Sequence, residues 1–190
     1  MKQASQNLTA QESLDIITGM IRQAKGNARR NGFHFLLWGW VVVVANLGMY
    51  ALTLLNYPYP YVVWAITIPA WIISFIKGYR DKKADRVYTH LDRISMWLWI
   101  MFGLAIVVFV VMGQKINYQI NPVILTTATI PTFVSGALLR FKPLMFGGAS
   151  FWAFGLITFM LPYEVQPLMS AVAIICGFLL PGYLLKRRAD

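Results

Sequence analysis

Residues Phe33–Leu55 read FHFLLWGWVVVVANLGMYALTLL. The run holds no Asp, Glu, Lys or Arg, and its apolar residues fall on every side of a helix. About 20 such residues cross a hydrocarbon core as an α-helix. In lipid only helices and closed barrels satisfy their own backbone groups. Barrel strands alternate in polarity at every second residue. This run does not alternate, so it reads as a transmembrane helix. The segment before it is polar, the run is too long for a signal h-region, and no small-residue cleavage pattern follows. It therefore reads as a first membrane anchor and not as a signal peptide.

Five further apolar runs extend the reading: Tyr57–Ile76, Ile94–Gly113, Gln119–Leu139, Pro143–Leu161 and Val165–Leu185. The expected fold is all-α, a polytopic transmembrane bundle of six spans with an N-terminal amphipathic cytoplasmic helix. It divides the chain into a leader (1–32), a membrane domain (33–185) and a basic tail (186–190). Composition agrees: 58% of residues are hydrophobic and 13% charged, against about 25% charged in soluble domains.

The lysines and arginines fix an orientation. Lys2, Arg22, Lys25, Arg29 and Arg30 precede the first run, and Lys77, Arg80, Lys82, Lys83, Arg86 and Arg93 follow the second. Arg140 and Lys142 follow the fourth, and Lys186, Arg187 and Arg188 follow the sixth. The connections between them hold Lys115 alone. Basic loops stay in the cytoplasm, so both ends are expected inside. The net charge of +10 is explained by topology, and nucleic acid is not an expected partner. Tyr57, Tyr59, Tyr61 and Trp64 fit an outer aromatic belt, and Trp38, Trp40, Trp97 and Trp99 an inner one. Trp71 lies deeper and is expected to pack between helices.

Ahead of the first run, Thr9 and Glu12 have capping-box spacing, which starts a helix near Ala10. Leu14, Ile17 and Ile21 recur at helical spacing, and Gly26 or Asn27 is placed to end the helix. Such a helix lies on the inner membrane face or against the bundle, or docks a partner. The triplet Thr67-Ile68-Pro69 returns as Thr129-Ile130-Pro131. Two prolines at matched depth point to kinks in a repeated hairpin.

No motif specifies an enzyme. His34 and His90 lack the carboxylate or cysteine neighbours of a metal site, and Cys176 stands alone. No catalytic, cofactor-binding or metal residues are assigned, and no cofactor is expected. The spans carry no ionisable side chain away from their ends, unlike proton relays and ion-coupled pumps. The candidate site is a polar seam: Asn46 in the first span, with Thr126, Thr129, Thr132 and Ser135 on one side of the fourth. Helix packing explains hydroxyl and small residues at such positions; a solute-lining wall is the alternative. If the two spans are neighbours, the threonines supply the partner Asn46 needs.

ESLDIITGMI (residues 12–21) followed by FLLWGW (35–40) resembles an uncharacterised family of small bacterial six-span membrane proteins with an amphipathic leader. The resemblance is clearest over roughly the first 50 residues. It implies a bacterial cytoplasmic membrane and carries no activity and no site residues. The expected function is that of a non-enzymatic accessory or sensory membrane module. Its partners would be the lipid bilayer and another protein met by the N-terminal helix. A small-solute transporter, or its substrate-binding membrane component, is the alternative.

The topology is open to thiol labelling in a Cys176→Ala background. An Asn117→Cys variant should react with an impermeant reagent on intact cells, and an Asp81→Cys variant only after permeabilisation. The reverse pattern inverts the orientation.

Overall fold

The computed structural model describes the backbone of residues 10–84 and 90–189. Side chains are described from Gly32 on, except at 81–84, 90–92 and 188–189, and before Gly32 only at Gln11, Leu14, Thr18 and Gly19. Every regular element among the described residues is helical. The elements are α1 (Ala10–Leu54), α2 (Thr67–Ala84), α3 (His90–Val111), α4 (Ile120–Leu138), α5 (Lys142–Phe159), α6 (Gln166–Ile174) and α7 (Leu180–Ala189). A 3-10 segment, Pro60–Ile66, leads into α2, and a π-helical turn, Ile175–Leu179, joins α6 to α7.

Four stretches are long and apolar enough to cross a membrane: Gly32–Leu54, Pro60–Arg80, Arg93–Val111 and Gln166–Arg187. They coincide with the first, second, third and sixth apolar runs to within a few residues. The fourth and fifth runs are α4 and α5, of 19 and 18 residues. Both are less apolar, because hydroxyls in α4 and glycines in α5 occupy places that larger apolar side chains would fill.

Those small residues set the packing. A β-carbon on Gly136 of α4 would lie 2.7 Å from the Met145 nitrogen, and one on Gly148 of α5 would lie 2.7 Å from the Phe133 nitrogen. Gly155 of α5 sits directly against the Thr126 hydroxyl. On the other side of α5, a β-carbon on Gly147 would lie 2.5 Å from the Gly177 carbonyl oxygen, and Gly177 faces the Phe151 ring. α5 is thus wedged between α4 and the π turn. α1 lies along the α6–α7 rod, with Gly39 against Leu179 and Gly32 near the Lys186 backbone. Phe178 joins these layers: its ring centroid is 5.2 Å from Phe151, 5.6 Å from Phe35 and 6.0 Å from Trp99. α2 leans on α1 and α3 on α4. Their outer faces are bare, with Ile72, Phe75, Met101, Leu104 and Val107 exposed.

Four expectations need correction. The helix that starts at Ala10 does not stop at Gly26 or Asn27; it continues to Leu54. A lone glycine costs a helix about 1 kcal/mol, and Ala24, Lys25, Ala28, Arg29 and Arg30 around it all favour helix. The stretch of this rod that is long and apolar enough to cross a membrane begins at Gly32. Thr9, and the side chains of Glu12, Ile17, Ile21 and His90, lie outside the described residues.

The two Thr-Ile-Pro triplets are not equivalent. Pro131 lies inside α4, whereas Pro69 lies in the first turn of α2, just after the 3-10 segment. Proline lacks the N–H that a helix interior needs but a first turn does not, so matched kinks do not arise. Trp99 is half-buried among Phe35, Phe102 and Phe178, so it belongs to the interior and not to a belt. Trp71 is exposed on α2, with one edge against Trp38 and one face stacked on Phe75.

Glycine contacts predict a contrast between two alanine variants. Gly148→Ala should lose about 1–3 kcal/mol through overpacking. Gly103→Ala, at a position with nothing within 4 Å, should be neutral or gain up to about 1 kcal/mol of helix propensity. Thermal unfolding of the purified protein in detergent reads both.

Candidate functional site: the buried polar seam

α4 presents its hydroxyls inward because Gly136, Phe133 and Thr126 face α5, which turns the adjoining side of the helix into the bundle. Thr129, Thr132 and Ser135 are buried there, and Thr126 is half-buried against Gly155. Their hydrogen bonds divide them. Thr126 donates to the Pro122 carbonyl at 2.8 Å and Thr132 to the Ala128 carbonyl at 2.7 Å, both within α4. Ser135 instead accepts from Trp99 Nε1 of α3 at 3.2 Å. Thr129 Oγ1 is buried and has no hydrogen-bond partner among the described residues.

Asn46 is 1% exposed. Its Nδ2 donates to the Val42 carbonyl of its own helix at 2.9 Å, and its Oδ1 is buried without a partner among the described residues. The expected bond between Asn46 and a threonine of α4 is not made. α1 packs mainly on α6, α7, the π turn and the segment leading into α2, and α4 mainly on α5, α3 and α6. The helix between them is α6. Periodicity told which face of each span was polar, but not which spans adjoin.

Two further polar contacts went unread in the sequence. Gln166, 0% exposed, donates from Nε2 to Gln119 Oε1 at 2.8 Å and to the Leu161 carbonyl at 3.2 Å. This ties the first turn of α6 to the start of α4. The available signal was that both residues stand at the head of an apolar run, where a glutamine must find a partner. Trp38 Nε1 donates to Ser74 Oγ at 3.1 Å, holding α2 on α1. At the same end as Gln166, burial, with Tyr118 and then Glu164 nearby, pushes the Tyr163 phenol above its ordinary value. Tyr163 therefore stays neutral throughout the physiological range.

A groove of about 330 Å³ opens between α5 and the α6–α7 rod, with Pro143, Gly147 and Ser150 on one wall and Cys176, Pro181 and Leu184 on the other. None of the seam residues lines it. Among the described residues no group of three or more His, Cys, Asp or Glu side chains converges. No protein-family model, curated protein or solved structure matches the chain.

Serine and threonine contacts in the seam should differ in weight. Ser135→Ala leaves Trp99 Nε1 without its acceptor and should cost about 1 kcal/mol or more. Thr132→Val removes only a bond within one helix and should cost less, near the ~0.6 kcal/mol average of polar contacts in membrane bundles. Equilibrium unfolding in mixed micelles measures the difference.

Proposed function

We propose that the chain is a six-span protein of a bacterial cytoplasmic membrane, with both ends inside, that works through partners as a non-enzymatic accessory or sensory module. One observation carries this reading: α1 is a single helix from Ala10 to Leu54, of which Gly32–Leu54 suffices to cross the membrane. The remainder, at 1.5 Å per residue, extends the first span by about 30 Å. Leu14 on this arm is 59% exposed, and Gly19 has nothing within 4 Å. The arm thus offers Leu14 away from the bundle. Leaving the membrane as part of a span, it is better placed to reach a neighbouring protein than to lie flat on lipid. Any tilt or rotation of the first span is carried into the arm, which suits a sensor or coupling subunit.

The positive-inside pattern and the six helical runs support the topology. Of the two less apolar helices, α4 is largely buried against its neighbours, and the outer face of α5 is apolar, with Phe146, Trp152 and Leu156 exposed. The self-satisfied hydroxyls of Thr126 and Thr132 weigh against a solute-lining wall and so against the transporter reading.

A photo-crosslinking side chain placed in the arm tests the partner reading in growing cells. At Leu14, Ile17 or Ile21 it should give one discrete protein adduct, absent when the probe stands at Glu12 or Gln23, on the opposite side of a helix that turns about 100° per residue. Lipid adducts alone, or adducts independent of the helix face, contradict the reading.

A further inference from the structure

The groove between α5 and the α6–α7 rod leads to the end of the bundle where basic residues gather. Gly147 of α5 meets the Gly177 carbonyl and the Pro181 ring, so the two walls touch along its floor. This contact places Ser150 at the end of the groove near Cys176, and Pro143 at the end near Leu184. Lys142 directly precedes Pro143, and Lys186 and Arg187 stand within one turn beyond Leu184; all three are exposed. From Arg140 to Arg188 the sequence holds one acidic residue, Glu164, which follows the far end of α5. Asp190 lies outside the described residues. The groove thus has a positive mouth.

Its walls are apolar. Phe146, Leu180 and Leu184 stand exposed along it. The Ser150 hydroxyl is committed to the Gly147 carbonyl at 2.7 Å, so the walls offer a polar solute little to bind. Size decides between apolar occupants. The groove encloses about 330 Å³ along about 10 Å of α5, from Pro143 to Ser150. A helix from another protein, at least 10 Å across, fills roughly 800 Å³ over that length. A single acyl chain is far thinner and fits. Cys176 in the groove belongs to the π turn, and such turns concentrate at functional sites.

We propose that the groove seats one acyl chain of an anionic phospholipid from the inner leaflet, with Lys142, Lys186 and Arg187 at its mouth holding the phosphate. The inference rests on the topology proposed above, which puts this end of the bundle at the cytoplasmic face. Basic pockets between transmembrane helices on that side bind anionic headgroups, and an arginine meets a phosphate through two parallel hydrogen bonds. α7 forms one wall of the groove and also carries α1, where Gly32 approaches the Lys186 backbone. A lipid in the groove therefore touches the helix that seats the first span and its arm.

Photoactivatable lipids test the site on the full chain in nanodiscs. Phosphatidylglycerol with a diazirine in its acyl chain should give adducts concentrated on residues 143–150 and 176–184. Phosphatidylcholine with the same chain should label them about 5-fold less. Replacing all three mouth residues, Lys142→Gln, Lys186→Gln and Arg187→Gln, should remove the headgroup preference and leave the melting temperature in phosphatidylcholine unchanged. Ser150→Leu, which fills the groove, should lower the groove adducts from both lipids. Adducts spread evenly over α2 and α3 as well, equal labelling by the two headgroups, or a groove crosslinked to a second copy of the chain overturns the proposal. The two leaflets of a nanodisc are alike, so this outcome does not depend on which face is cytoplasmic. Thiol labelling of the Asp81→Cys and Asn117→Cys variants tests that face separately.

Discussion

Lipid tails are as apolar as leucine, so a helix already in a bilayer gains little by exchanging lipid for another apolar surface. What holds such helices together is shape, and here shape depends on glycine. Gly148 and Gly155 let α5 approach the backbone of α4, and Gly147 lets its opposite side approach the π turn at Gly177. A larger side chain at Gly147 or Gly148 meets backbone and one at Gly177 a packed ring, none of which can swing aside, and one at Gly155 meets the Thr126 hydroxyl. With α5 held at this distance, Phe151 reaches Phe178, and Phe178 gathers Phe35 and Trp99. The aromatic centre, the inward turn of the α4 hydroxyls and the seat of α1 on the α6–α7 rod all follow from that spacing.

α2 and α3 show the opposite regime. Each touches the bundle along one edge, and Gly78 and Gly103 on them have nothing within 4 Å. Hydrogen bonds supplement the thin contact, Trp38 to Ser74 for α2 and Trp99 to Ser135 for α3, and Lys77 of α2 also sits over the Phe33 ring of α1. Each such bond is worth about 0.6 kcal/mol on average in a membrane bundle. These two helices are therefore the least firmly held.

The helical runs were legible because the cost of leaving backbone groups unpaired in lipid forces long apolar segments into helices. Their limits were legible because turn residues and charges lie between them; Asn56 and Asn117, for example, take the left-handed conformation just after helices. The path of α1 through Gly26 was not legible. A local stop signal of about 1 kcal/mol is outweighed by a long helix on both sides of it. The π turn at Ile175–Leu179 was hidden for a related reason: it depends on how Gly177 meets α5, and not on the composition of its own five residues. Of the polar seam residues, Thr129, Thr132, Ser135 and Asn46 are buried and Thr126 is half-buried. The seam's partners were misassigned, because hydropathy fixes which side of a helix turns inward and leaves open which helix it meets. Trp99 was read as a belt residue since ring chemistry alone does not distinguish a headgroup from a serine hydroxyl.

The lever proposed for the first span requires an arm continuous with it, a property measurable as a distance. Spin labels at Leu14→Cys and Ala51→Cys, in a Cys176→Ala background and in nanodiscs, report it by pulsed dipolar spectroscopy. An unbroken helix predicts a narrow distribution centred at about 55 Å, from 1.5 Å per residue. A broad distribution, or one centred well below that value, means that the helix breaks near Gly26 and contradicts the lever.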